Sequence, residues 1–440
     1  MVVFYNTYTL ISISVTIWQM KTAVETKRPD SPRGKVTPGI KKASSVIFAV
    51  LRACLRPGLY LLYRFRFDGK TSKGIKRPCL ILCNHQTVFD QFAVTVGFNF
   101  GINFVGSDTL FRHGFLSGIM VLLTRPIPFS KGSSDIIALK NMMGVIKDGG
   151  CVCMFPSGNR SFYGDECRIV PGIGKLAKKF NVPLVLMQIR GGFNTIARWR
   201  ASRNVGKVTA FVSRVVQVAE LESMTAAEVD DVIRRELGFD EFEWNRTAKV
   251  EYHGKRRAEY LESVLFYCPE CGNMNGGGGG GLRSEGNEFL CLDCGAKVAI
   301  NETGFFERLN NAEKIPDTIL EWSRMQLNHV KGFDFSPYTE KPVFTDGNVA
   351  LSIAERARKE HPIGNGTIEL YADRLVICGR KFPLTEITSA IQGVRKLTLY
   401  YNDSVYAVLA PHRTNLIKYM ICSYHLRNKA LDIKEEYYGY

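Results

Sequence analysis

The chain has 440 residues, of which 45% are hydrophobic and 23% charged, and its formal net charge is +16 at pH 7. This length exceeds one ordinary hydrophobic core, so two or three domains are expected, and the composition excludes a disordered or fibrous protein. The excess of cations favours anionic partners such as phosphorylated lipid, an acidic carrier protein, cofactor phosphates or nucleic acid, without choosing among them.

The first 19 residues, MVVFYNTYTLISISVTIWQ, are uncharged. They lack the basic start of a signal peptide and contain many polar residues, so a signal or a membrane span is a poor interpretation. Met20 has the character of a natural start, and it stays open whether residues 1–19 belong to the protein in the cell. Between Lys21 and Lys42, seven basic residues, two acidic residues and three prolines predict a disordered basic arm.

The stretch from Ser44 to Phe67 is very apolar, but it contains four arginines and is interrupted by Pro57. Such a stretch is poorly suited to span a bilayer. It predicts two short helices lying in a membrane interface, with the arginines reaching the headgroups. The alternative is a buried helical hairpin whose arginines reach solvent.

From about Lys76 to Val218, apolar runs such as CLILC, CVCMF and PLVLMQI alternate with helix-like stretches. Continuous apolar runs are typical of strands buried on both faces of a sheet, so an α/β domain is predicted. In such sheets ligands bind at the carboxyl ends of the strands. Asn84 and His85 follow the first run, and Pro156–Ser161 follows the second, so two polar loops are expected at one edge.

His85 and Asp90 are five positions apart, which separates them on a regular helix. They can meet only if His85 precedes a helix that has Asp90 in its first turn, with Thr87 as the cap. A histidine oriented by a carboxylate is a common general base. The structural alternative is that Thr87 and Asp90 form a capping box and the histidine has no catalytic role.

Four sequence blocks occur in order: NHQTVFD (Asn84–Asp90), RPIPFSKGSS (Arg125–Ser134), FPSGNRS (Phe155–Ser161) and VPLVLMQIRGG (Val182–Gly192). With them the region from Ser44 to Glu220 resembles the glycerolipid acyltransferases, the 1-acylglycerol-3-phosphate acyltransferase-like superfamily. The resemblance implies an αβα sandwich, peripheral or monotopic on the cytoplasmic face of a membrane. It also implies acylation of a lysophospholipid hydroxyl by a thioester donor, either acyl-CoA or acyl carrier protein.

The resemblance further implies roles for the matching residues. His85 would be the general base that removes the proton of the acceptor hydroxyl, and Asp90 would orient its imidazole. Lys131 stands where the second block usually has arginine, and it would contact the acceptor phosphate together with Arg160 of the third block. Gly158 would let the backbone approach the ligand closely.

The third block departs from the family pattern FPEGTRS at two substrate-binding positions, with Ser157 in place of glutamate and Asn159 in place of threonine. The predicted activity is the conversion of 1-acyl-sn-glycerol-3-phosphate to phosphatidic acid in phospholipid biosynthesis. Because the carboxylate is missing, the identity of the acceptor stays open, and so does a catalytically weak lipid-binding relative.

Of twelve cysteines, four form two CxxC pairs: Cys268, Cys271, Cys291 and Cys294. Nineteen residues separate the pairs, which is the spacing of a four-thiolate zinc ribbon in a reducing compartment. We predict one structural zinc ion per chain, with the glycine run Gly276–Gly281 as a flexible loop. A zinc-ribbon nucleic-acid-binding protein is a further alternative, but Arg283 is the only cation between Cys268 and Cys294, so no nucleic acid is expected.

From Gly366 onward, short strand-like segments separated by turns precede a helix-like end, a pattern that resembles a pleckstrin-homology-like barrel. The predicted organisation is a basic arm (1–43), an interfacial helical segment (44–67), an acyltransferase domain (68–240), a tether with the zinc ribbon (241–300), a linker with a helix (301–365) and a β-rich domain with a C-terminal helix (366–440).

Overall fold

The computed structural model describes residues 40–107, 124–129, 136–165, 168–169, 172–274, 281–355, 360–392, 394–402 and 404–434. Lys131, most of the basic arm and most of the glycine run therefore lie outside the described residues.

An α/β domain opens the described chain, as the apolar runs predict. Its strands are β1 (Arg66–Phe67), β2 (Cys79–Cys83), β3 (Ile102–Ser107), β4 (Ile127–Phe129), β5 (Cys151–Met154), β6 (Leu184–Arg190) and β7 (Thr209–Val216). They form one sheet in the order β1-β7-β6-β2-β5-β3-β4. All neighbouring strands are parallel except β6 and β7, which are antiparallel.

Helices cover both faces of this sheet. They are α1 (Ser45–Tyr63), α2 (Asp90–Gly97), α3 (Ile136–Lys147), α4 (Ile173–Phe180), α5 (Gly192–Thr195), α6 (Val218–Ser223), α7 (Ala226–Leu237) and α8 (Glu241–Ala248). Every residue of β2 is buried, and its side chains alternate between two apolar layers. Ile81 packs in the layer that contains α1 and α2 residues, whereas Leu80 packs in the layer that contains α3, α4 and α7 residues. The predicted αβα sandwich is confirmed.

The apolar segment before the sheet is one continuous helix, so the prediction of two short helices is wrong. Pro57 lies inside α1. A proline removes one hydrogen bond, to the carbonyl four residues earlier. Here that carbonyl belongs to Ala53, and both residues lie on the exposed side of the helix, where water or headgroups can satisfy it. By length and composition α1 could also cross a membrane, and only 11% of its apolar window is buried.

The cysteine-rich segment forms a small antiparallel sheet. Its strands are β8 (Leu282–Glu285), β9 (Glu288–Cys291), β10 (Lys297–Ile300) and β11 (Phe306–Asn310), in the order β11-β10-β9-β8. Helix α9 (Ile319–Gly332) follows, and its buried Trp322 packs edge-on against Phe289 and Phe306. The segment expected to be a linker is therefore part of the packed structure.

The C-terminal region is β-rich, as predicted. Its strands are β12 (Phe344–Glu355), β13 (His361–Leu370), β14 (Arg374–Ile377), β15 (Arg380–Pro383), β16 (Thr388–Gln392), β17 (Lys396–Tyr401) and β18 (Ser404–Leu409), followed by α10 (Leu416–Ala430). All neighbours are antiparallel in the order β15-β14-β13-β12-β18-β17-β16. Seven antiparallel strands and a closing helix fit the pleckstrin-homology-like pattern.

This sheet begins at Phe344, whereas the sequence placed its start at residue 366. The cysteine-rich sheet and the β-rich region are also continuous with the α/β domain, because one apolar core includes Phe193 and Phe242, Phe289 of the cysteine-rich sheet, and Leu397 of the last sheet. The modules after residue 240 are therefore packed onto the α/β domain.

Candidate active site

The loop Asn84–Phe89, called here the His85 loop, leaves the carboxyl end of β2. His85 Nδ1 lies 2.8 Å from Asp90 Oδ2. Asp90 is the first residue of α2, so the histidine precedes the helix and the carboxylate stands in its first turn. This is the arrangement that lets the two side chains meet.

Asp90 is 1% exposed, and it organises the whole loop. Its carboxylate accepts hydrogen bonds from the backbone N–H groups of Gln86, at 2.6 Å, and Thr87, at 2.9 Å. The Thr87 hydroxyl donates to the second oxygen at 2.6 Å. Thr87 is therefore a partner of Asp90 and does not cap α2, whose N-cap position is Phe89.

Asn84, the first residue of the motif, fixes the loop to the neighbouring strand. Its side-chain amide donates to the carbonyl of Ile189 at 2.9 Å and accepts from the N–H of the same residue at 2.7 Å. This pair of bonds continues the β2–β6 ladder by one step, so the position of the next residue, His85, is set by the sheet.

The third block lies against the first. The ring of Phe155 stacks on the His85 imidazole, with centroids 4.3 Å apart and planes 21° apart. The backbone N–H of Ser161 donates to the His85 carbonyl at 2.9 Å. Sequence blocks that are seventy residues apart therefore meet around one imidazole, as the parallel order of β2 and β5 requires.

The surroundings of His85 favour its neutral form. Burial lowers the pKa of the imidazole below its usual value, Asp90 acts in the opposite direction, and the positive charges of Arg160 and Arg198 lower it further. A neutral imidazole is the form that can accept a proton, so this environment suits a general base.

Arg160 of the third block is close enough to His85 for its charge to act on the imidazole, and Arg198 is a second such cation that the sequence reasoning missed. Arg198 Nη1 donates to the carbonyl of Arg160 at 3.0 Å, and its guanidinium lies 3.8 Å from the centroid of the Phe162 ring. The sequence ARWR (residues 197–200) after the fourth block was the available signal, because it places two arginines shortly after α5, the short helix that follows β6.

Ser157 and Asn159, the two residues that depart from the family pattern in the third block, are joined by a hydrogen bond. The Ser157 hydroxyl donates to the Asn159 carbonyl at 3.0 Å, and Ser157 is buried. Gly158, between them, is exposed and has φ +66°, a conformation that glycine adopts without strain. Serine therefore stabilises the turn itself at the position where a glutamate carboxylate was expected.

An apolar crevice opens beside the dyad. It lies between α1, the start of α2 and the end of β6, and its cavity volume is about 20 Å³, which is room for about one water molecule. Its walls include Leu59, Tyr63, Phe89 and Ile196, and Asp90 and Thr87 lie at one side.

The four cysteines predicted to bind metal converge. Their sulfur atoms lie within 4.8 Å of one another, with 3.9 Å between Cys268 and Cys294 and 3.9 Å between Cys271 and Cys291. Four thiolates around a zinc ion at about 2.3 Å would be separated by about 3.8 Å. Gly272 and Gly295 have positive φ, as the tight knuckles require. The cluster can hold a metal ion.

The chain is similar to known proteins over part of its length. The family described as Acyltransferase matches residues 64–190, which contain the His85 loop and the third block. The crystal structure of the 1-acyl-sn-glycerophosphate acyltransferase PlsC from Thermotoga maritima is similar at 18% identity and a TM-score of 0.37, over 43% of this chain and 78% of that chain. No curated protein matches this sequence. Over residues 64–190, the chain is therefore similar in sequence to the Acyltransferase family.

Proposed function

We propose that this protein transfers a fatty acyl group from a thioester donor to the free hydroxyl of a lysophospholipid at a membrane surface. The observation that carries the proposal is the His85–Asp90 pair, at 2.8 Å, on the loop after β2 of an acyltransferase-family domain. The preferred acceptor is 1-acyl-sn-glycerol-3-phosphate, and the product is phosphatidic acid.

In the proposed mechanism His85 acts through Nε2, because Nδ1 is held by Asp90. As the acceptor hydroxyl attacks the thioester carbonyl, Nε2 takes its proton, and Asp90 stabilises the imidazolium that forms. Collapse of the tetrahedral intermediate forms the new ester and releases the donor thiol, which recovers the proton. Arg160 and Arg198 are the cations available near His85 for the acceptor phosphate, and Lys131 remains a predicted contact.

The membrane role rests on the exposed face of α1. Val46, Val50 and Leu61 are 75%, 62% and 76% exposed, and the helical period places them within about 60° of one another. Val88, in the His85 loop itself, is 42% exposed. An apolar face beside the catalytic loop would let the protein take its acceptor from the bilayer.

The proposal is tested by measuring acyl transfer to 1-acylglycerol-3-phosphate and to other lysophospholipids, with acyl-CoA and acyl carrier protein as alternative donors. His85→Ala should lower turnover by ~10²–10⁴. If the wild-type protein binds anionic vesicles and transfers no acyl group from either donor, it is a lipid-binding relative and the proposed activity is wrong.

We also propose that the cysteine cluster holds one structural zinc ion. Its four ligands are all thiolates, which complete a tetrahedral site and leave no position for a substrate. Metal analysis of the purified full chain should find one zinc per chain. A protein that is fully folded without metal would contradict this assignment.

A further inference from the structure

Glu241 is a buried acid that lies beyond the residues matched by the acyltransferase family. It is the first residue of α8 and is 0% exposed. Buried carboxylates are rare unless they are hydrogen-bonded or paired, so the partners of this side chain indicate its role.

Glu241 contacts two of the sequence blocks that build the proposed site and the chain just after a third. Its Oε2 accepts hydrogen bonds from Gln86 Nε2, in the His85 loop, at 3.3 Å and from the N–H of Gly191, in the fourth block, at 3.0 Å. Its own N–H donates to the carbonyl of Gly164, just after the third block, at 2.8 Å.

Gln86, which binds Glu241, also binds the turn Gly191–Gly192 directly. Gln86 Oε1 accepts from the N–H of Gly192 at 3.0 Å, so the Gln86 amide and the Glu241 carboxylate together bind both N–H groups of the turn Gly191–Gly192. A side chain at Gly192 would meet Gln86 Oε1 at 2.7 Å, which shows how closely the turn approaches the loop. Gln86 is the neighbour of His85, so a shift in this network moves the imidazole.

We propose that Glu241 is a positioning residue of the acyl-transfer site, whose carboxylate ties the His85 loop to the turn after β6, so that the chain beyond residue 190 completes the site. This inference rests on the proposed function, because it concerns the same His85. Glu241 does not touch the reacting atoms, and it acts through Gln86.

The protonation state of Glu241 makes its hydrogen bonds with Gln86 and Gly191 dependent on pH. Burial raises the pKa of Glu241 to about 7, and hydrogen bonds from its neighbours oppose the increase. Among the described residues, the titratable groups coupled to it are Arg190, at the end of β6, and Tyr252, which follows α8. Because the folded-state pKa is raised, the ionised form is present above about pH 7 and is lost as the pH falls through that value. Above about pH 7 the hydrogen bonds from Gln86 and Gly191 become charge-assisted and stronger, whereas burial of the ionised carboxylate lowers the free energy of unfolding.

The variant Glu241→Gln tests this role, because glutamine keeps an acceptor oxygen for Gln86 and Gly191 and cannot ionise. Glu241→Ala removes the acceptor altogether. Glu243→Gln is the matched control, since Glu243 lies on the same helix with its side chain 81% exposed. We expect Glu241→Ala to lower kcat by ~10–100-fold with little change in KM, as displacement of a catalytic group does. We expect Glu241→Gln to lose less and to lack the inflection near pH 7 that wild type and Glu243→Gln show in kcat.

A second readout does not require activity. In wild type, the amide resonance of Gly191 should shift with an inflection near pH 7, and this inflection should be absent in Glu241→Gln. An unchanged Gly191 titration in that variant, or wild-type kcat in Glu241→Ala, would overturn the inference while leaving the proposed function intact. If the wild-type protein transfers no acyl group, the proposed function fails separately, and the Gly191 titration still shows whether Glu241 controls the turn.

Discussion

Replacement of Asp90 should separate the structural role of this carboxylate from its catalytic role. In Asp90→Ala, the N–H groups of Gln86 and Thr87 lose their acceptor at a position that is 1% exposed. Each buried donor without a partner costs about 1–3 kcal/mol, so these two groups alone predict a loss of ~2–6 kcal/mol in the free energy of unfolding. That is a large part of the ~5–15 kcal/mol that stabilises a typical domain.

Asp90→Asn keeps an oxygen that can accept both backbone bonds, so its unfolding free energy should fall by much less. It has no negative charge to stabilise the His85 imidazolium, however, and kcat should fall by ~10²–10⁴. The control is His85→Ala, which removes the base and leaves the loop's bonds to Asp90 in place. Chemical denaturation and initial rates of acyl transfer measure the two effects. If Asp90→Asn retains more than a tenth of wild-type kcat, or Asp90→Ala unfolds like wild type, the carboxylate does not have the role assigned to it.

Three further predictions concern other parts of the chain. Cys271→Ser should lose the metal, whose binding contributes ~10–16 kcal/mol to folding at such sites, and the variant should also have a lower kcat. A full complement of zinc in this variant by metal analysis would contradict the four-thiolate site. Ser157→Glu should narrow the choice of acceptor towards lysophosphatidic acid, and an unchanged ranking of kcat/KM among several lysophospholipids would show that this position does not set specificity. Val50→Asp on α1 should weaken binding to anionic vesicles in a sedimentation assay. The control is Leu309→Asp, at a ribbon position that is 48% exposed, and it should leave vesicle binding unchanged. Equal losses of vesicle binding in the two variants would argue against α1 as the membrane face.

Local features of the fold were predictable from the sequence because their partners are close in the chain. The five apolar residues of β2 lead directly into Asn84 and His85, and Asp90 is near enough that one loop brings His85 and Asp90 together. The cysteine spacing determines the ribbon in the same way, since each CxxC pair forms its own knuckle.

The parts that could not be predicted depend on packing between distant segments. Glu241 is 155 positions from Gln86, and nothing in the sequence around it distinguishes it from the exposed Glu243. Strand β12 was missed because Asp346, Gly347 and Asn348 look like a turn. In the structure they form an irregularity at which the register with β13 shifts, and the strand continues beyond it.

The packing of the ribbon explains why the metal site should affect catalysis. Cys291 ends β9, and the strands β10 and β11 that follow are joined by a turn that lies on α8. In this turn the Thr303 carbonyl accepts a hydrogen bond from Asn245 at 2.8 Å, and the Phe305 ring packs edge-on against Phe242 at 5.9 Å. Both partners belong to the helix that begins with Glu241. If the ribbon unfolds without its metal, α8 therefore loses this support. The contact between Glu241 and the His85 loop is then lost as well. The ribbon thus has a physical reason to be packed against the α/β domain, because it supports the helix that presents Glu241 to the His85 loop.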